Sequence, residues 1–200
     1  MYAVIQVSLQ GRTVLCPPQK SSAFTENMKR KAEPLMDRSK LPRLETARLI
    51  LEPMREDAVR ALIARWKDAD PELAQAYTEM LDGAVQHPGE YLWYIPWGFF
   101  LREGGVQIGD ACFKGLPADG RPEIGYGLEQ AYWGRGYATE GAAALCRWAL
   151  SQQTVVSVEA ETAPDNAASQ RVLEKLGFRP TGENGEEGPR FTLLPDTGRK

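Results

Sequence analysis

Two glycines with a single residue between them, Gly134 and Gly136, stand between a strand-like run and a helix-like run, and they mark where this chain could bind an anion. The run is Glu123-Ile124-Gly125-Tyr126-Gly127-Leu128, followed by Tyr132-Trp133-Gly134-Arg135-Gly136-Tyr137-Ala138-Thr139-Glu140. A helix start leaves backbone N–H groups without partners and carries a partial positive charge, which suits a phosphate or pyrophosphate. Glycine lets the backbone approach such a ligand because no Cβ stands in the way. The pattern is not a Walker A loop, since no Lys-Ser/Thr pair follows the last glycine. Nor is it the dinucleotide fingerprint: Thr139 stands where a third glycine would be, and the loop lies deep in the chain.

A second run carries polar chemistry. The β-branched stretch Val155-Val156-Ser157-Val158-Glu159-Ala160-Glu161-Thr162 is followed by Pro164-Asp165-Asn166-Ala167-Ala168-Ser169, then by Gln170-Arg171-Val172-Leu173-Glu174-Lys175-Leu176-Gly177-Phe178. Asp165 or Asn166 can cap a helix start, and Gly177 can supply its left-handed stop. Glu159 and Glu161, two residues apart on a strand, share a face. The chain has one histidine, His87, next to Pro88, so zinc sites built from several imidazoles are excluded and no metal is expected. Its three cysteines, Cys16, Cys112 and Cys146, have no paired or metal-binding spacing. They point to a reducing, cytoplasmic compartment, with Cys112 and Cys146 as small buried hydrophobes.

The two runs together resemble motifs A and B of the GNAT superfamily of acyl-CoA-dependent N-acetyltransferases. In motif A, Gln/Arg-x-x-Gly-x-Gly/Ala, Trp133 takes the first place, Gly136 the glycine and Ala138 the last. The wording Tyr-Trp-Gly-Arg-Gly-Tyr-Ala-Thr-Glu is similar to the RimJ/RimL-like branch. The Asn-x-x-Ser-x-x-x-Leu-x-x-x-Gly-Phe pattern from Asn166 to Phe178 is similar to motif B.

The resemblance implies a GNAT fold of the α/β (α+β) class: a mixed, mostly antiparallel, twisted sheet of about six to seven strands with about four helices. It implies acetyl-CoA as acyl donor, lying where two neighbouring strands splay apart. The backbone of Tyr126, Gly127 and Leu128 would then pair with the pantetheine arm. Gly134, Arg135, Gly136, Tyr137, Ala138 and Thr139 would hold the pyrophosphate, and Asn166 and Ser169 would face the thioester end. Transfer to an amine needs a group to remove the ammonium proton, because only the free base can attack. Glu123 is the expected base, with Glu159 and Glu161 as competitors. Ser169 is the candidate to protonate the leaving thiolate, since Leu173 occupies the region where other branches carry a tyrosine. The implied partners are acetyl-CoA and a primary amine, either a protein N-terminus or a small molecule, and the superfamily suggests a homodimer. A non-catalytic acyl-CoA-binding module of the same fold is the alternative.

These residues need elements to hold them, and the pattern provides them from Leu44 onwards. Strand signals cover residues 44–52, helical periodicity about 55–68 and 71–86, and an aromatic strand interrupted by Pro96 covers 91–101. Hairpin turns at residues 103–105 and 118–120 lead into strands ending at Lys114 and Leu128. Ala138, Ala142, Leu145 and Ala149 recur at helical spacing, and their small size lets that helix lie close on a sheet. A strand pair, about 178–181 and 190–193, closes the pattern. The aromatics Trp93, Tyr94, Trp97, Phe99 and Phe100 read as core, and Trp133 either packs at the core edge or stacks over the pyrophosphate loop that the resemblance implies.

The domain is expected over residues 43–195, with a disordered extension at 1–42 and a tail at 196–200. Pro17-Pro18 and the basic run Lys29-Arg30-Lys31 read as linker, and Met28 and Met36 are alternative starts. The first 43 residues carry a net charge of +5 and the remainder −8. An acidic domain is a poor partner for nucleic acid and a good one for a cationic amine. No apolar run approaches the roughly 18 residues of a membrane span, so no membrane partner is expected.

Overall fold

The computed structural model describes residues 2–5 and 41–196. The linker, its basic run, Cys16 and both alternative start sites lie outside the described residues. Among the described residues there are nine strands: β1 (Tyr2–Ile5), β2 (Leu44–Glu45), β3 (Leu49–Pro53), β4 (Trp97–Leu101), β5 (Gln107–Phe113), β6 (Ile124–Glu129), β7 (Val158–Glu161), β8 (Arg179–Asn184) and β9 (Pro189–Leu193). Four α-helices accompany them: α1 (Glu56–Trp66), α2 (Pro71–Gln86), α3 (Tyr137–Leu150) and α4 (Ala167–Leu176). The mostly antiparallel α/β architecture agrees with the expectation, but its strands divide between two sheets. Six antiparallel strands run in the order β1-β6-β5-β4-β3-β2, and three in the order β7-β9-β8. The expected strand over 44–52 is two strands, because Thr46 Oγ1 and N bond to the carbonyl of Leu49 and turn the chain between them. Before Pro96 the expected strand is instead a 3-10 segment over Pro88–Trp93.

The two sheets touch where β6 begins. A single parallel bridge joins Glu123 to Glu159, and the amide of Glu159 donates to the carbonyl of Pro122 at 2.9 Å. Beyond that point β6 continues with β5 while β7 pairs with β9, so the strands diverge. The edge of β6 that this divergence leaves is taken by β1, whose register is Ile5 with Tyr126, Val4 with Gly127 and Ala3 with Leu128. Thus residues 2–5, within the extension expected to be disordered, form a strand.

Side-chain alternation then sorts β4, β5 and β6 into two faces. The row Trp97–Ala111–Tyr126 belongs to the main core with α3. Helix α3 packs closely because its sheet-facing residues are small. A Cβ on Gly141 would lie 2.5 Å from the Phe99 ring, so glycine is required for this approach. Trp93, Trp97, Phe113 and Trp148 stack through this core, with ring centroids 4.8–6.1 Å apart in neighbouring pairs. The next row, Gly98–Asp110–Gly127, faces the other way, towards α2. Helices α1 and α2 bring their own cluster there, with Val59, Tyr77, Leu81 and Ala84 packed against Met54, Tyr91 and Ile95.

Candidate active site

The glycine loop lies at the start of α3, as expected. Gly134 and Gly136 adopt φ of +70° and +79°, and Gly136 is the residue that caps the helix. L side chains rarely take that backbone region, so both glycines are needed for the turn. A Cβ on Gly134 would meet nothing within 4 Å, which leaves the loop surface open to a ligand. The loop is anchored from a distant strand. Arg48 Nη1 donates to the carbonyl of Arg135 at 3.0 Å, while the same guanidinium bonds and pairs with Glu140 on the first turn of α3. Burial acts to raise the Glu140 carboxyl, but hydrogen bonds from Thr46 and from the backbone and side chain of Arg48 outweigh it and hold it below its ordinary value. Neither Arg48 nor the anchoring role of Glu140 was evident in the sequence, because their connection spans 92 positions.

Between this loop and α4 lies a cleft of about 430 Å³. Its lining includes Leu128, Gly134, Gly136, Tyr137, Ala138, Thr139 and Asn166, all expected from the sequence. Arg171 and Lys175 on α4 add two cations that the sequence reading did not single out. Trp133, open between packing at the core edge and stacking over the loop, is 42% exposed and lines the cleft, with its Nε1 donating to the carbonyl of Leu128 at 2.9 Å. Arg135 is not among the residues lining this cleft, and its guanidinium carbon lies 6.0 Å from the centroid of the Tyr132 ring.

At the inner end, Asn166 caps α4: its Oδ1 accepts from the amide of Ser169 at 3.0 Å. Ser169, 2% exposed, sits 3.4 Å from the phenol oxygen of Tyr126. Burial pushes the Tyr126 phenol up to about 12, with the Ser169 hydrogen bond acting the other way. Two hydroxyls therefore meet beside β6 on the α3/α4 face, both protonated near neutral pH.

Glu123 occupies the apex where the sheets join, and both of its oxygens are engaged. Lys114 pairs with Oε1, and Arg190 donates to Oε2 at 3.2 Å. Glu159 accepts from Ser157 and Thr192, and Glu161 accepts from the backbone of Gly188, so both competitors are held within the smaller sheet and its hairpin. Glu123 and Glu159 border a second, polar pocket of about 560 Å³ together with Lys114, Arg121 and Arg190. The cysteines Cys112 and Cys146 are free and buried, and burial pushes each thiol up to about 12. His87 ends α2, stacked on Tyr94 at 4.8 Å.

One buried carboxylate escaped the sequence reading. Asp110, in the middle of β5, is 8% exposed and accepts a hydrogen bond of 2.7 Å from Tyr77 on α2. Burial pushes it up to about 6, with the Tyr77 bond opposing the rise. The available signal was a charged residue inside the otherwise apolar run Ile108-Gly109-Asp110-Ala111-Cys112-Phe113.

The family profile described as an acetyltransferase (GNAT) domain matches residues 48–179. This chain belongs to the GNAT acetyltransferase family. An uncharacterized N-acetyltransferase of Bacillus subtilis, YjdG, is 42% identical over 83 residues, which is 41% of this chain and 49% of YjdG. The chain thus matches about half the length of that relative. Among solved structures, an acetyltransferase from Agrobacterium tumefaciens superposes with a TM-score of 0.59 at 25% identity, covering 78% of this chain and 95% of its own. RimL, the ribosomal L7/L12 α-N-protein acetyltransferase, in complex with coenzyme A, gives a TM-score of 0.62 at 16% identity over 78% of this chain and 100% of its own. That likeness shows a shared fold. As a GNAT acetyltransferase, this protein uses acetyl-CoA as its acyl donor.

Proposed function

We propose that this GNAT protein transfers the acetyl group of acetyl-CoA to a primary amine by direct attack in a ternary complex. The observation that carries this reading is the loop over residues 134–139, whose glycines open its backbone onto a cleft walled by Arg171 and Lys175. Helix-start amides from Gly134, Arg135, Gly136, Tyr137, Ala138 and Thr139 hold the pyrophosphate, and the two α4 cations add charge. The backbone of Tyr126, Gly127 and Leu128 pairs with the pantetheine arm, and Asn166 borders it. The hydroxyl pair Tyr126–Ser169 passes a proton to the departing thiolate, with Ser169 closer to the cleft residue Asn166. A covalent acyl-cysteine route is disfavoured because neither described cysteine forms a thiolate near neutral pH. The free, buried Cys112 and Cys146 support a cytoplasmic setting for this reaction.

Strand β1 bears on the alternative. It holds the same β6 backbone that the pantetheine arm requires, and an edge accepts one partner at a time. Catalysis therefore requires β1 to leave, whereas a non-catalytic use of the fold would keep it in place.

A thermal-unfolding scan with acetyl-CoA, CoA, ATP and NAD in parallel tests the proposal. A ligand at a hundred times its Kd adds roughly 2.7 kcal/mol, which raises Tm by about 5–10 °C in a protein of this size. The expected result is a shift with acetyl-CoA and CoA alone, followed by CoA release when amines are added. No shift with either at millimolar ligand rejects the transferase reading.

A further inference from the structure

We propose that Asp110 holds the acceptor ammonium and takes its proton, and that Tyr77 fixes the carboxylate in position. This inference rests on the acetyl-transfer reading and identifies the acceptor side of the same site. Asp110 stands directly across from Gly127 on β6 and Gly98 on β4. Directly opposed residues in an antiparallel pair lie roughly 4.5–5.5 Å apart. On β6 the facing residue is glycine, so that strand puts no side chain of its own between the carboxylate and a ligand lying along it, while on the β4 side the Phe100 ring and Met54 fill the space over Gly98. The next row on this face pairs Cys112 with Gly125, so β6 presents only backbone to it. The opposite face of β6 is closed by Tyr126 and Ser169 beneath α3 and α4. A thioester lying along β6 is therefore reached from the side of Asp110.

Charge points the same way. The carboxylates Glu123, Glu140 and Glu129 each pair with a lysine or arginine. Asp110 has no cationic partner among the described residues; a tyrosine hydroxyl alone offsets its burial. A buried carboxylate without a counter-charge is costly to keep, and an alkyl ammonium supplies the missing charge. Both oxygens of Glu123, by contrast, are already engaged by Lys114 and Arg190.

The step balances as follows. The ammonium gives one proton to Asp110, and the freed lone pair attacks the thioester carbonyl carbon. The C–S bond breaks, and the second nitrogen proton ends on the CoA sulfur through the Tyr126–Ser169 hydroxyls. Asp110 then releases its proton to water, leaving amide, CoA thiol and one proton. With an ordinary value raised to about 6, Asp110 is ionised at neutral pH and near the range that suits a general base. The groups facing it do not interfere: β4 and β6 offer glycines, α2 offers Tyr77, and the Cys112 thiol is pushed up to about 12 by burial and then by the charge of Asp110.

The test compares wild type, Asp110→Asn, Tyr77→Phe and Glu123→Gln in CoA-thiol release from acetyl-CoA across pH. The acceptor is whichever of spermidine, a free amino-acid mixture or a peptide with a free N-terminus the wild type turns over fastest. CoA affinity is measured calorimetrically on the same preparations. Asp110→Asn is expected to lose roughly 10²–10⁴-fold in kcat/KM for the amine, with CoA affinity unchanged, and to lose the acidic limb near pH 6. Tyr77→Phe removes the bond that opposes burial and moves that limb to higher pH. The proposal is overturned if Asp110→Asn stays within about threefold of wild type with the same pH profile. It is equally overturned if Tyr77→Phe leaves the limb in place, which decides the matter should Asp110→Asn not fold. Wild type that binds no CoA, or transfers to none of the acceptors, rejects the transferase reading itself and this inference with it.

Discussion

The two faces of the sheet at β6 are built by opposite means. On the α3/α4 face, function comes from backbone: a helix start, two left-handed glycines, and cations on one wall. On the α2 face the role proposed above falls to one side chain, a carboxylate in a row of glycines, steadied by a tyrosine from another element. The first face stabilises a negative ligand with groups that cost little to bury. The second keeps a negative group buried at a cost that only a positive ligand relieves. Anion recognition can thus be read from local spacing, whereas ammonium recognition depends on which residues the topology brings together.

The largest expected effect separates the faces at the anion side. Gly136→Val forces a β-branched residue into the left-handed region, at a cost of roughly 1–2 kcal/mol, and disturbs amides that bond a charged group at roughly 1.5–3 kcal/mol each. CoA affinity measured by calorimetry should fall by roughly 100-fold or more. Next, Ser169→Ala removes the hydroxyl beside Tyr126. The expected loss in kcat is up to roughly 100-fold in a steady-state assay, with CoA affinity unchanged, since the Ser169 amide still bonds Asn166.

A stability measurement sharpens the contrast further. The folded Asp110 carboxyl is raised above its ordinary value, so its contribution is fully present below about pH 3.8 and is lost as pH rises through about 6. Asp110→Asn removes that loss. It should therefore melt about 2–6 °C higher than wild type at pH 7.5, and the difference should shrink towards pH 4 in the same buffer series. A residue kept for structure alone would give the reverse. The smallest effect concerns β1: deleting residues 1–5 frees the β6 edge, and CoA should bind roughly two- to tenfold more tightly by titration.

Much of the first face was legible in the sequence. Gly134, Gly136, Asn166 and Ser169 stand within runs whose spacing alone predicts a loop, a cap and a helix; the structure brings the first three around one cleft and buries Ser169 beside Tyr126. The order of helices and strands from Leu44 onwards was readable for the same reason, since periodicity is local. What escaped was long-range. Arg48 reaches the carbonyl of Arg135 across 87 positions, and Tyr77 reaches Asp110 across 33. The ion pairs that occupy Glu123 also come from separate elements, with Arg190 67 positions away. The pairing of Tyr2–Ile5 with β6 had no local signal, because a four-residue apolar strand looks the same wherever it docks.

The central claim is that cofactor and amine are recognised on opposite faces of β6, and CoA titration of Asp110→Asn beside Gly136→Val tests it most directly. Asp110→Asn should bind CoA with wild-type affinity and Gly136→Val roughly 100-fold more weakly. Equal weakening in both variants, or wild-type affinity in Gly136→Val, would contradict that claim.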